Sequence, residues 1–251
     1  MKREEVRCAR LSGTRGAGWM VFILCFALAL CGAACKGGSS NSNSKDSDTA
    51  EDLGKDPPNL KKGIKPEPDA EVAVIEMQNP GNGRIVIELD PNLAPQMVAR
   101  YKQLIKEGFY NGTTFHRIDT ELGIIQGGDP NSKDDNPAND GAGDSPYPNV
   151  PGEFSDIPYE RGTVGAARKG GGPGMTEEQA YNTANCQFFI TLKRQPAFDK
   201  RYTVFGKVIE GLNNAEIIMS APTAEGAERP ADPIVIKSIT LQPRSAGTGN
   251  K

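Results

Sequence analysis

The sequence is poor in the side chains that most enzymes use for chemistry. Its 251 residues include a single histidine, His116, and a single tryptophan. One histidine excludes a zinc site built on paired imidazoles and leaves no second imidazole for a Ser-His or Cys-His dyad. The two glycine runs, Gly127-Gly128 and Gly170-Gly171-Gly172, lack the Lys-Ser/Thr ending of a phosphate loop. Both runs are therefore interpreted as turns.

Cysteine is equally scarce in the body of the chain. Four of the five cysteines lie within the first 35 residues, and only Cys186 lies beyond them. A single cysteine cannot form an internal disulfide, so an oxidising compartment would add no covalent crosslink to the body. We interpret Cys186 as a small, inert residue.

The chain also has no excess of positive charge. Its formal net charge is −3, and removal of the first sixteen residues leaves 24 basic against 30 acidic groups, or −6. Such a protein has no field to attract nucleic acid, so nucleic acid is not expected as a partner. Nothing in the sequence calls for a multimer, and a monomer is predicted.

The first 35 residues are interpreted as a targeting signal. Five basic residues precede an unbroken apolar run at 19–30, which is shorter than the roughly 20 residues of a membrane span. The segment 30–35, Leu-Cys-Gly-Ala-Ala-Cys, resembles a bacterial lipoprotein box, in which Cys35 would be lipidated and become the mature N-terminus. A plain secretory signal and an uncleaved anchor over 16–34 remain as alternatives. We expect an exported cell-envelope lipoprotein, held at a membrane through its N-terminus.

The rest of the chain divides into a linker, one domain and a short tail. Residues 36–69 are rich in Gly, Ser, Asn and Pro and have no apolar periodicity. They are predicted to form a flexible linker that lets the domain stand off the membrane. The folded domain is predicted at 70–244, followed by a disordered tail at 245–251.

The domain is predicted to be mostly β. Short runs rich in β-branched residues lie between turn-forming residues. These strands are predicted at 71–78, 84–89, 113–118, 124–126, 163–167, 188–192, 203–208 and 234–241. Apolar residues at helical spacing predict a helix at 95–107, and a second helix is predicted at 213–219. Many short strands with two helices favour a closed barrel capped at its ends.

Four sequence blocks together resemble the signature of the cyclophilins, in the order that this family has them. The blocks are 109–117 with 126–130, 161–168, 185–190, and 198–199 with 202–208. The resemblance covers about residues 71 to 243. It implies a closed eight-stranded antiparallel barrel capped by two helices and the isomerisation of peptide bonds that precede proline. It further implies no metal, no cofactor, and proline-containing polypeptides as partners.

The resemblance also assigns roles to individual residues. Arg117 lies at the family's catalytic arginine, and Gln126 lies beside it in the catalytic set. The substrate-binding positions, one of which acts through its backbone, are Ile124, Ala167, Gln187, Phe189, Phe198 and Tyr202.

The sequence departs from the family pattern in the region that forms the site. One extra residue separates Arg117 from Gln126, so Gly123 stands where a pocket phenylalanine is usual and Leu122 is its candidate substitute. Arg168 replaces a common asparagine, and the segment 170–184 is longer than usual. The leading hypothesis is an isomerase that acts on exported proteins. Gly123 favours a second hypothesis, a module that holds proline-containing segments with little turnover, and a third is a barrel that serves only as a scaffold.

Overall fold

The computed structural model describes residues 56–57, 59–170 and 174–245. The predicted signal, Cys35 and the first twenty residues of the predicted linker lie outside the described residues, as does nearly all of the predicted tail. No helix in the described part of the chain is long and apolar enough to cross a membrane.

The described domain contains eight strands and three α-helices. The strands are β1 (Glu71–Met77), β2 (Arg84–Leu89), β3 (Phe115–Asp119), β4 (Ile124–Gly127), β5 (Thr163–Ala166), β6 (Phe188–Thr191), β7 (Val204–Glu210) and β8 (Ile236–Pro243). The helices are α1 (Pro95–Lys106), α2 (Glu177–Tyr181) and α3 (Leu212–Met219). The mostly-β prediction is confirmed, and each predicted strand and helix is found within a few residues. Only α2 was not predicted.

The strands form one curled antiparallel sheet in the order β3-β4-β6-β5-β7-β2-β1-β8. The prediction of a closed barrel is wrong, because β3 and β8 are the two edges of the sheet and form no ladder with each other in the described residues. A single isolated bridge, between Thr114 and Val235, connects the ends. The sheet is therefore an open, strongly curled half-barrel.

The chain that precedes β8 explains why the sheet does not close. It contains Pro230 and Pro233, which have no N–H to donate to a ladder. This segment covers the edge of β3 through scattered bonds instead: Ile118 N donates to Glu228 O at 2.6 Å, and Phe115 N donates to Ile234 O at 3.0 Å. The backbone groups of β3 are thus partly satisfied without a continuous strand pair.

Helix α1 packs its apolar face on the inside of the sheet. The buried residues of α1 repeat at the predicted helical spacing: Met97, Val98, Tyr101, Leu104 and Ile105. Its N-cap, Ala94, has no side chain that could cap the helix. The carboxylate of Glu153, from the long 129–158 loop, accepts instead from the N–H groups of Gln96 and Met97 at 3.1 and 2.9 Å. This anion stabilises the positive end of the helix and fixes the loop to it.

Two apolar clusters lie on opposite faces of the sheet. The main core lies between the sheet and the helices and includes Phe188. A second apolar cluster contains Leu93, Ile124, Tyr159, Phe189, Phe198 and Val204. Phe188 and Phe189 enter different clusters because successive side chains of β6 point to opposite faces, as the strand pattern predicts.

Part of the predicted linker is packed against the domain. Lys61 forms a parallel bridge with Ser155, and its Nζ donates to Asn92 O and Leu93 O at 3.2 and 2.8 Å. Ile64 packs against the second apolar cluster. The composition of 59–69 suggests a flexible tether, but its backbone finds partners on the domain, so these residues belong to the fold.

Candidate active site

The pairing register places the two predicted catalytic residues in a row that crosses four strands. Arg117 of β3 is opposite Gln126 of β4, which is opposite Phe189 of β6, which is opposite Gly165 of β5. Residues directly opposite each other in a sheet project from the same face. The row therefore brings a guanidinium, an amide and an aromatic ring side by side, next to a position without a side chain.

A chain of hydrogen bonds fixes the polar end of this row. Arg117 Nη1 donates to Gln126 Oε1 at 3.3 Å, and Gln126 Nε2 donates to Gln187 Oε1 at 3.0 Å. Gln187 Nε2 donates in turn to the carbonyls of Gly141 and Gly143 at 3.1 and 2.9 Å. Because each amide both donates and accepts, the chain orients the Gln126 carbonyl oxygen toward the arginine.

Two carboxylates also hold Arg117. Its Nη2 donates to Asp119 Oδ2 at 2.7 Å, and its Nε donates to Glu228. The Asp119 side chain is 6% exposed, whereas that of Glu228 is 53% exposed. A guanidinium carries five N–H groups. The contacts with Gln126, Asp119 and Glu228 together use three of them. Two N–H groups remain for a substrate, and the side chain of Arg117 is 34% exposed.

The apolar end of the site is an aromatic cluster. Phe189 lies with its ring centroid 5.4 Å from that of Phe198 and 5.6 Å from that of Tyr202. Phe198 and Tyr202 are 4.9 Å apart. Ile124 is buried in the same cluster, and Ala167 packs against it. All the apolar residues predicted to bind substrate therefore contact one cluster, beside the row that contains Arg117.

The turn between β3 and β4 accounts for the glycine at the expected phenylalanine position. Gly123 has a φ of +65°, and a Cβ there would lie 2.5 Å from Lys193 Cγ. Both the left-handed backbone and the close side chain favour glycine. Leu122, one residue earlier, packs against the second apolar cluster. Leu122 is thus the residue of this turn whose side chain reaches the apolar cluster.

Two contributors to the site are missed by sequence reasoning. The Tyr159 ring is fully buried and stacks on Phe189 with centroids 5.7 Å apart. A Cβ on Gly165 would lie 2.6 Å from Tyr159 Oη and would also clash with the Phe189 ring. Gly165 therefore leaves the space in which the two rings stack. The pattern of β5 shows only a small residue, and nothing in the sequence indicates the partner ring.

A cavity of about 80 Å³ adjoins the amide chain. Its walls include Gln126, Gln187, Ala167, Arg168 and Thr183. Ala167 N donates to Gln187 O at 3.0 Å, so its carbonyl oxygen is the backbone group left to contact a substrate.

His116 and Cys186 are not members of this row. His116 lies at a bulge of β3, where the pairing register shifts between Phe115 and Arg117, and it has no partner residue on β4. Its burial lowers the pKa of the imidazole, and neither ring nitrogen has a partner within the described residues. Burial raises the pKa of the Cys186 thiol to about 12. A neutral buried imidazole and a protonated thiol fit structural roles.

In the described ranges, no group of three or more His, Cys, Asp or Glu residues is arranged to hold a metal ion.

Comparison with known proteins shows the family of this domain. Residues 73–241 match the sequence model of the family described as "Cyclophilin type peptidyl-prolyl cis-trans isomerase/CLD". A probable peptidyl-prolyl cis-trans isomerase of Brucella suis is 39% identical over 163 residues, which are 63% of this chain and 78% of the relative.

Solved structures show the same likeness. A crystal structure of a cyclophilin-type isomerase from Cryptosporidium parvum superimposes with a TM-score of 0.58 at 29% identity, covering 69% of this chain and 99% of the other. A structure of that protein in the presence of the dipeptide Ala-Pro gives a TM-score of 0.57 at 26% identity, with the same shares covered.

The fold and the matched residues define a cyclophilin-type domain. The chain therefore belongs to the cyclophilin-type peptidyl-prolyl cis-trans isomerase family, and its reaction is the isomerisation of peptide bonds that precede proline.

Proposed function

We propose that the reaction takes place on the sheet face formed by β3, β4 and β6, with Arg117 and Gln126 as the catalytic residues. The observation that carries this proposal is the row in which Arg117, Gln126 and Phe189 lie directly opposite one another. The row offers a fixed cation next to an aromatic surface, and this reaction needs both.

The physical demand of the reaction is modest. Rotation about a peptide bond has a barrier of about 18–20 kcal/mol because the nitrogen lone pair is delocalised into the carbonyl. In the twisted transition state the lone pair returns to the nitrogen, which becomes a hydrogen-bond acceptor. A donor that binds this nitrogen favours the transition state over either planar isomer, and each 1.36 kcal/mol gives about a tenfold rate increase. No proton transfer and no nucleophile are required.

Arg117 can supply that donor. A guanidinium stays protonated at any physiological pH, and two of its N–H groups are free of the internal contacts described above. The side-chain carbonyl oxygen of Gln126 accepts from Arg117, so Gln126 orients the guanidinium.

The apolar cluster provides the binding surface for the proline ring. Ile124, Phe189, Phe198 and Tyr202 share one apolar cluster. Phe189 lies opposite Gln126, which contacts Arg117, so the cluster adjoins the catalytic pair. The carbonyl of Ala167 can accept from a substrate N–H, while Gln187 holds Gln126 in place. The partners are proline-containing polypeptides.

A second function is favoured by one observation. Asp119 and Glu228 both pair with Arg117, and their charge offsets that of the guanidinium. A site in which these pairs persist with substrate bound would hold proline-containing segments with little turnover. This is the behaviour of a binding module on the same scaffold.

Exchange NMR on a peptide with one X-Pro bond separates the two functions. The isomerase should transfer magnetisation between cis and trans signals at substoichiometric protein concentrations, and Arg117→Ala should lower kcat/KM by at least about tenfold, or roughly 1.4 kcal/mol. Arg117→Lys should recover little, because an ammonium lacks the planar fork. Shifts of peptide signals without exchange would support the binding module. Equal kcat/KM for the wild type and Arg117→Ala would overturn the catalytic role.

We further propose that the protein is an exported bacterial lipoprotein whose substrates are exported proteins. The support is the sequence of the first 35 residues, with its basic start, apolar run and lipobox-like ending at Cys35. One acyl chain gives only marginal membrane binding and two give stable anchoring, since each buried methylene contributes about 0.8 kcal/mol.

This localisation is tested with Cys35→Ser expressed in a bacterium. The wild type should incorporate labelled fatty acid and sediment with membranes, whereas Cys35→Ser should be unlabelled and released. Cys31→Ser is the matched control and should behave like the wild type. A Cys35→Ser protein that stays in the membrane fraction and keeps residues 19–30 would instead support the uncleaved anchor.

A further inference from the structure

The side chain of Arg168 is almost completely buried at the rim of the proposed site, although the residue as a whole is half-buried. Only 5% of its side chain is exposed, although it follows the partly exposed Ala167 and precedes the exposed Lys169. It is also the residue that replaces a common asparagine in the family pattern. Burial of a guanidinium is costly unless its donors are paired, so its contacts indicate what it does.

The polar contacts of Arg168 are all within the protein. Nε donates to Arg201 O at 3.2 Å, Nη1 donates to Lys169 O at 3.1 Å, and Nη2 donates to Glu177 Oε1 at 2.6 Å. Each of its three nitrogens thus has an acceptor, as does each nitrogen of Arg117. The two arginines differ in exposure, because 5% of the Arg168 side chain is exposed against 34% of the Arg117 side chain. Arg168 is therefore poorly placed to act on substrate directly.

The flat guanidinium also contacts two aromatic rings. Its Cζ lies 4.5 Å from the ring centroid of Tyr202 and 5.0 Å from that of Tyr181. A cation at this distance is attracted to the electron-rich face of a ring, most strongly where water is excluded. Tyr202 is thereby held between Arg168 and Phe198, whose centroid is 4.9 Å away.

Arg168 also contacts α2, which lies in the segment that is longer than usual in the family. Glu177 and Tyr181 are the first and last residues of this helix. Thr176 and Gln179 form a reciprocal capping box at its start, with bonds of 2.8 and 3.2 Å. Tyr181 is further fixed by Phe154, at 4.8 Å between centroids. The helix is short, but it is anchored at both ends.

We propose that Arg168 is a positioning residue that couples α2 to Tyr202 and so sets the affinity of the pocket for the proline ring. This inference rests on the proposed site, in which Tyr202 forms part of the wall. Loss of Arg168 leaves one face of Tyr202 without a partner, and the ring can then leave the orientation in which it closes the pocket. Arg117 and the amide chain are untouched, so binding weakens while the rotation step is preserved.

The test uses the full-length protein and exchange NMR on an X-Pro peptide at several concentrations, which separates KM from kcat. Arg168→Met keeps the aliphatic length of the side chain and removes the charge. It should raise KM about five- to tenfold with kcat within about twofold of the wild type. Arg168→Lys keeps the cation and should give an intermediate KM. Arg84→Met is the matched control, because Arg84 pairs with Glu210 at 2.8 Å and, among the described residues, has no cation–π contact with a ring; both constants should be unchanged.

A double variant tests whether Arg168 acts through Tyr202. In a Tyr202→Leu background, Arg168→Met should cause no further rise in KM. A KM unchanged by Arg168→Met, a loss confined to kcat, or an equal rise with and without the Tyr202 ring would each overturn the proposal. Absence of catalysed exchange by the wild type would instead count against the proposed function, so the two failures are distinguishable.

Glu177→Gln provides a variant that does not disturb a buried group, in case Arg168→Met does not fold. The Glu177 side chain is 45% exposed, and the substitution removes only the charge that anchors Arg168. It should raise KM about twofold and shift the ring signals of Tyr202. Unchanged KM and unchanged Tyr202 signals would show that α2 and the pocket are not coupled.

Discussion

Asp119 provides a sharp test of how the site is organised. Its Oδ2 accepts from Arg117 Nη2, and its Oδ1 accepts from the N–H of Leu122 at 2.7 Å. One buried carboxylate therefore joins the guanidinium to the turn that carries Leu122. The change Asp119→Asn keeps the shape and one acceptor oxygen but removes the charge.

The expected size of the effect follows from these contacts. A hydrogen bond to a charged group is worth about 1.5–3 kcal/mol in stability. Arg117 is one-third exposed and keeps its contacts with Gln126 and Glu228. We therefore expect Asp119→Asn to reduce the stabilisation of the transition state by only about 1 kcal/mol. This corresponds to roughly a fivefold loss of kcat/KM. The loss should lie mainly in kcat, because the apolar cluster is not altered.

Glu228→Gln is the matched control, since Glu228 is the other carboxylate on Arg117. It is more than half exposed, and exposed ion pairs contribute little. Its kcat/KM should stay within about twofold of the wild type. In an Arg117→Ala background, Asp119→Asn should have no additional effect, because coupled residues are not additive. Equal losses for Asp119→Asn and Glu228→Gln, or a full additional loss in the Arg117→Ala background, would refute the reasoning.

Two further predictions concern stability. Burial, with the nearby charge of Glu88, raises the pKa of Asp90 to about 6 from its ordinary 3.8. A raised folded-state pKa stabilises the fold below about pH 4, and this contribution is lost as the pH rises through 6. Asp90→Asn should thus raise the free energy of unfolding by up to about 3 kcal/mol at pH 7 and by little at pH 4, measured with urea; equal gains at both pH values would contradict this. Gly165→Ala should lower stability by about 1–3 kcal/mol and also reduce kcat/KM, since both stacked rings must move; an unchanged Tm would show that the rings yield freely.

The strands and the main core are predictable from the sequence because local patterns determine them. The alternation at Phe188 and Phe189 assigns the two rings to opposite faces, and the spacing from Met97 to Ile105 gives the buried side of α1. The resemblance gives the residues of the candidate site but not their mutual geometry. Register, which brings Arg117 opposite Gln126, depends on the length of the turn and is seen only in the structure.

Other features could not be predicted because they depend on distant partners. The segment 59–69 has the composition of a linker, yet Lys61 reaches carbonyls some thirty residues away. The closed barrel was a natural expectation from eight strands, but prolines before β8 prevent the last ladder. Helix α2 has only five residues, too few for a clear periodic signal. Its contacts with Arg168, through Glu177 and Tyr181, are likewise seen only in the structure.

The extra residue before Gln126 need not imply a weakened site. It lengthens the turn after β3, and Gly123 adopts the left-handed backbone that this turn requires. The same turn directs the N–H of Leu122 to Asp119 and the Leu122 side chain to the second apolar cluster. Asp119, a buried carboxylate, joins this turn to Arg117. The turn therefore bears on the guanidinium and on the apolar cluster together, which is why kcat and KM should be measured separately in every variant.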